Sequence, residues 1–154
     1  MRQLALLIST VGYLGYVPVA PGTVGSFVGL VLFFFVQSTE SIVVELGIIV
    51  VLFVVGVWSS TVAEKYFNEV DPAPVVIDET VGMLITLALL PVNFLGAFVG
   101  FLIFRVLDVT KPFPVAKLEK LPRGFGVMAD DGMAAVYGNL IMRVLLVVAP
   151  SWLS

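Results

Sequence analysis

The charges in this chain are crowded into two short islands, and that pattern constrains its fold more than any other feature. Between Gln3 and Ala63 the only charged side chains are Glu40 and Glu45, and between Val75 and Phe104 only Asp78 and Glu79. After Asp131 only Arg143 remains, so apart from Arg2 the rest fall within Glu64 to Asp71 and Arg105 to Asp131. Charged residues make up 12% and hydrophobic ones 60% of the 154 residues, against a usual charged share of about 25%. A soluble globule with so few polar side chains could not coat its own surface. The sequence therefore describes an integral membrane protein, with a length that suits one domain over residues 1–154. Long apolar runs without a period-2 pattern favour helices over a barrel, so the expected fold is an all-α, compact, membrane-embedded multihelical bundle.

Four apolar stretches separate the charges: Val24 to Val36, Ile42 to Ala63, Val81 to Phe104 and Met133 to Ala149. The second matches the ~20 residues that a spanning helix needs, and the first is short for a span. The N-terminal stretch resembles a secretory signal in outline, but a first helix lying on or entering the bilayer is the better reading. The third stretch is interrupted at Pro91-Val92-Asn93. A bend there returns Asp78-Glu79 and Asp108 to the same side, on two arms of ~11 residues and roughly 16 Å each, too short to cross ~30 Å of hydrocarbon. The sequence thus predicts a helical hairpin bent near Pro91, tilted, re-entrant or packed inside other helices, with its bend within the bilayer or covered by those helices. Lys111, Lys117, Lys120 and Arg123 share one island, which the positive-inside rule places in the cytoplasm.

The chain has no Cys and no His, which excludes disulfides, thiolate chemistry, phosphohistidine and the commonest metal ligand. A net charge of -3 argues against a highly basic nucleic-acid binder. Chemistry must come from carboxylates, Arg, Lys, hydroxyls or a metal held by oxygen. Asp78-Glu79 opens the third apolar stretch, either as a functional intramembrane pair or as negative charge at a helix N-terminus. Arg105, Asp108 and Lys111 are spaced i, i+3, i+6, which is either a site or a surface ion-pair ladder. Asp130-Asp131 repeats the acidic doublet just ahead of the last apolar stretch. Carboxylates that converge ionise together only with a cation between them, and without His or Cys a hard ion such as Mg²⁺ fits first. Carboxylates for Mg²⁺ with Arg and Lys for phosphate form the recurring kit of phosphoryl transfer. In Pro21-Gly22-Thr23-Val24-Gly25-Ser26, the glycines and the Thr23 and Ser26 hydroxyls suit either an anion at a helix start or tight helix packing.

The segments GYVPVAPGTVGS from Gly12, DETVG from Asp78, RVLDVTKPFP from Arg105 and GFGVMADD from Gly124 occur in an order and spacing that resembles the phosphatidylglycerophosphatase A family. The likeness runs from about Gly12 to Gly138. It implies a Mg²⁺-dependent, multihelical phosphatase of bacterial membranes that converts phosphatidylglycerophosphate to phosphatidylglycerol. Carried over position by position, the family's acidic pair falls on Asp78-Glu79, its Arg–Asp–Lys-Pro element on Arg105, Asp108 and Lys111-Pro112, and its doublet on Asp130-Asp131. Two departures stand out: Arg123 and Ala135 occupy positions where the family usually has Gly.

The resulting expectation is a lipid phosphomonoesterase of the bacterial inner membrane, multi-pass, with its site facing the cytoplasm. Asp78, Glu79, Asp130 and Asp131 are expected to hold Mg²⁺, with Glu79, Asp108 and Asp131 as catalytic acids. Asp108 serves either as a further ligand or as the base for water. Arg105 and Lys111 would neutralise the phosphate, with Thr23 and Ser26 as weaker phosphate donors. The substrate is an anionic phospholipid; no nucleic acid takes part, and no protein partner can be inferred. The alternatives are a phospholipid phosphotransferase using the same acids, and a non-enzymatic small cation transporter. CDP-alcohol phosphotransferases need a DG-x-x-AR run, whereas Asp131-Gly132 here is followed by Met133-Ala134-Ala135-Val136.

Overall fold

A computed structural model describes all of residues 1–154 and contains helices only. The helices are α1 (Arg2–Ser9), α2 (Pro21–Gln37), α3 (Ile42–Phe67), α4 (Ile77–Leu87), α5 (Phe94–Thr110), α6 (Val115–Leu118), α7 (Gly124–Val148) and α8 (Pro150–Leu153), with a 3₁₀ turn at Leu14–Tyr16. The 26-residue α3 and the 25-residue α7 are long and apolar enough to cross a membrane. Their outward faces are apolar too, with Val43, Val54, Val144 and Val147 all exposed. An apolar exterior of that kind suits lipid, where hydrocarbon replaces water as the surrounding solvent.

The short α4 lies at the centre, packed mainly between α2 and α7. Nearly every residue of it is buried, including Asp78, Thr80 and Thr86. Such a helix must satisfy its polar groups internally. Thr80 Oγ1 donates to the Gly25 carbonyl at 2.9 Å and Thr86 Oγ1 to Gly82 at 2.9 Å. Asn139 Nδ2, on α7, closes the far end of α4 by donating to the carbonyls of Ile85, Thr86 and Ala88. These are the last carbonyls of the helix and the turn, which have no partner of their own in the ladder. Close approach of α2 depends on glycine: a Cβ at Gly25 would sit 2.7 Å from the Val76 carbonyl oxygen, and one at Gly29 would strike the Thr80 carbonyl. Gly25 and Gly29 therefore serve helix packing, the small-residue device of membrane bundles.

The break expected near Pro91 occupies Ala88–Asn93, and α4 and α5 form the hairpin. Its bend is half covered: Leu90 and Val92 are buried and the Val92 carbonyl accepts from Gln37 Nε2, while Leu89, Pro91 and Asn93 stay exposed. Glu45 of α3 accepts from Leu89 N–H at 2.9 Å, and Asn93 caps α5 by accepting from Gly96 N–H. The arms are unequal, because α5 runs 17 residues, straight through Arg105 and Asp108, whereas α4 has 11. The last apolar stretch also starts earlier than its hydropathy indicates. Gly124 N–H donates to Thr61 Oγ1 and lets α7 begin against α3, so Asp130 and Asp131 lie inside that helix rather than ahead of it.

Candidate active site

Four helices bring their polar residues to one end of the bundle. α2 starts there, α4 starts there with Asp78 and Glu79 in its first turn, α5 ends there with Arg105 and Asp108, and α7 brings Asp130 and Asp131. Carboxylate oxygens of Asp78, Glu79 and Asp131 come within 4.8 Å of one another, an arrangement that could hold a metal ion. Four oxygens here are buried without a hydrogen-bond partner: Asp78 Oδ1, Glu79 Oε2, Asp130 Oδ1 and Asp131 Oδ2. A buried carboxylate oxygen left unpaired is costly, and several together are costlier because like charges repel. A cation relieves both costs, and a donor set made only of oxygen suits a hard one. The residues present fit such an ion.

The cationic side chains divide the acids into two groups. Arg105 Nη1 pairs with Asp108 Oδ2 at 2.6 Å, lies 3.9 Å from Glu79 Oε1 and donates to Ser26 Oγ at 3.4 Å. Ser26 Oγ in turn donates to the Gly22 carbonyl at 2.9 Å. A Cβ at Gly22 would run into Glu79 Oε1 and lie 3.1 Å from Arg105 Nη1, so only glycine leaves that contact intact. Lys111 belongs to the other group. It ends α5 in a left-handed conformation, φ 42°, which turns its side chain away from the Arg105–Asp108 face. Its Nζ reaches Asp130 Oδ2 at 2.7 Å and Glu119 Oε2 at 3.1 Å. Burial pulls the Lys111 ammonium toward neutrality, but these two carboxylates more than reverse it and raise its pKa.

Of the nine residues expected at the site, the structure gathers Asp78, Glu79, Asp131, Arg105, Asp108 and Ser26 in contact or near-contact, with Asp130 and Lys111 paired beside them. Thr23 is exposed on α2 and has no side-chain partner. Sequence reasoning missed Asp71, which lies in the loop before α4 at φ 50°. Burial lifts its carboxyl to about 6, the charges of Asp130, Glu119 and Asp108 lift it too, and Lys111 opposes them. Only its place in the charged island before Pro72 signalled it. Arg123, the departure from glycine, takes φ 61° and ψ -165° at the start of α7, backbone that glycine alone adopts readily. Ala135 is fully buried within α7.

The fold and its acidic centre define a helical membrane protein whose carboxylates, gathered beside a guanidinium, could hold a metal ion. The family model described as phosphatidylglycerophosphatase A matches residues 7–146. The chain belongs to that family, and so to the phosphoric monoester hydrolases. A phosphatidylglycerophosphatase A of Escherichia coli K12 is 36% identical over 128 residues, covering 79% of this chain and 72% of the relative. The Haemophilus influenzae protein of the same name is 33% identical over 130 residues, 83% of this chain and 80% of that one. A Bacteroides thetaiotaomicron protein, named as a candidate phosphatidylinositol-3-phosphatase, is 34% identical over 148 residues, 92% of each chain. No solved structure matches this chain.

Proposed function

We propose that this protein hydrolyses the terminal phosphomonoester of phosphatidylglycerophosphate, giving phosphatidylglycerol, at a Mg²⁺-dependent site on the cytoplasmic face of the bacterial inner membrane. The observation that carries this reading is the convergence of Asp78, Glu79 and Asp131 beside the guanidinium of Arg105. Asp78, Glu79 and Asp131 would hold Mg²⁺, with the unpaired Oδ1 of Asp130 adjoining them. Mg²⁺ bound there supplies Lewis-acid stabilisation of charge on the phosphoryl oxygens. Arg105 offers a planar fork to the phosphate while its pairing with Asp108 fixes where that fork points. Asp108 accepts the proton of the attacking water as the new O–P bond forms. The ester O–P bond breaks, and the glycerol oxygen leaves with a proton from solvent. Lys111 holds Asp130 in place beside the metal ligands, and the exposed Thr23 hydroxyl would be a weaker phosphate donor.

The orientation follows from charge. Seven of the eight Lys and Arg residues lie at the site end, and Arg143 alone lies toward the other. That bias is the one the positive-inside rule associates with the cytoplasm. Nine of the eleven acids share that end, all but Glu40 and Glu45, which speaks against a transporter whose acids line a path through the bilayer. The Bacteroides relative's name favours a second reading in which the phosphate leaves an inositol headgroup. The deciding test supplies purified protein with phosphatidylglycerophosphate, with phosphatidylinositol 3-phosphate, and with each plus an alcohol acceptor. Release from the glycerol lipid, independent of acceptor, is expected. Release from the inositol lipid alone, or only with an acceptor, would reject the reading.

A further inference from the structure

Beside the polar site, a groove of about 350 Å³ runs between α2 and α5, lined by apolar side chains alone. Phe27, Val31 and Phe34 form one wall, Phe94, Phe98 and Phe101 the other, and the buried Leu30 its floor. On α5 the spacing Phe94, Phe98, Phe101, Arg105 places the wall and the guanidinium on one helical stripe. On α2 the wall begins at Phe27, directly after the Ser26 that Arg105 touches. The helices run antiparallel, so the groove opens at the Arg105–Ser26 contact. It closes at its far end where Phe34 stacks on Phe94, ring centroids 6.0 Å apart. From Phe94 to Arg105 is eleven residues, roughly 16 Å of helix. The groove itself covers Phe94 to Phe101, roughly 10 Å, with Arg105 one turn beyond, and the two together reach about half of a ~30 Å hydrocarbon core, the depth of one leaflet.

We infer that this groove seats one acyl chain of the phospholipid whose phosphate is being hydrolysed, which rests on the function proposed above. The occupant follows from continuity: an acyl chain lying against these apolar walls leads to a headgroup at Arg105, one helical turn beyond Phe101. The walls stay open to the membrane, with Phe27, Phe94 and Phe98 exposed, so a lipid enters sideways from its own leaflet without leaving it. Binding energy from the chain, remote from the reacting phosphorus, then holds the headgroup in register.

Two measurements test it. In mixed micelles, the unmodified protein should favour long-chain over dihexanoyl phosphatidylglycerophosphate. Val31→Trp, which fills the groove, should raise KM for the long-chain lipid about tenfold and collapse that preference, with the loss in KM rather than kcat. The second uses the unmodified protein, so it does not depend on the variant folding. A nonhydrolysable phosphonate analogue with a diazirine on its acyl chain should crosslink residues 27–34 and 94–101 more than phosphatidylcholine carrying the same chain. Identical crosslinking by both lipids would mark the groove as an ordinary lipid-facing surface and overturn the inference, even if phosphate is released. Selective crosslinking without phosphate release would instead keep the groove and reject the function.

Discussion

Replacing Lys111 by Met should separate a buried charge pair from an exposed one that shares the same ammonium. Lys111 Nζ lies 2.7 Å from Asp130, whose side chain is 3% exposed, and 3.1 Å from Glu119, which is 41% exposed. Removing one partner of a fully buried pair costs roughly 3–5 kcal/mol, because the other charge stays buried and unpaired. Lys111 itself is 25% exposed, so water screens part of this, and about 2 kcal/mol is the expected loss. The Glu119 contact should contribute about 0–1 kcal/mol. A double-mutant cycle isolates each pair. With divalent ions chelated, unfolding of the micelle-held protein should give a coupling of about 2 kcal/mol for Lys111→Met with Asp130→Asn. The same cycle with Glu119→Gln should give roughly 0.5 kcal/mol or less. Equal couplings for the two acids, or additivity at Asp130, would refute the view that burial decides the strength of this pair.

Other expectations rest on backbone and burial. Gly22→Ala should lower kcat about 100-fold while the protein stays folded, since its Cβ displaces Glu79 and Arg105; kcat within about threefold of the parent would reject that role. Arg123→Gly should raise unfolding free energy by about 1 kcal/mol by relieving its φ 61°, ψ -165° backbone, and a lower midpoint in denaturant would contradict it. Asp71 has a folded-state pKa of about 6 against an ordinary 3.8, so the native state binds the proton more tightly. Its contribution is complete below about pH 4 and lost as pH rises through about 6. In chelator, Tm should therefore fall over that window, and fall less in Asp71→Asn; parallel curves would show that Asp71 does not titrate there.

The parts of the fold that depend on hydropathy and breakers were legible in the sequence. Pro91 and Asn93 announce the hairpin because proline lacks a donor and asparagine caps a helix, and the structure uses both there. Helix starts were less legible. Gly124–Ala129 carries neither a cap nor a strong apolar run, and its helical state is settled by packing of Gly124 against α3, a contact between segments far apart in the chain. For the same reason local spacing put Lys111 beside Asp108, while the left-handed turn at its own backbone sends it to Asp130. The motifs named the acids that converge, since each lies on the part of its helix nearest the site end, with Asp130 and Asp131 two turns inside α7. Asp71 lay outside every motif, and only the fold of its loop brings it under the influence of Asp130 and Lys111.

In the function proposed above, one cluster of carboxylates at the site end both binds the cation and supports hydrolysis. Carboxamide substitutions test it directly, because Glu79→Gln and Asp131→Asn keep the shape of the side chain and remove its charge. Phosphate release from phosphatidylglycerophosphate by the purified protein should require Mg²⁺. It should fall by at least about 100-fold in either variant, with both still folded in the membrane. Mg²⁺-dependent release at the parental rate in both variants would place the chemistry elsewhere and contradict the claim.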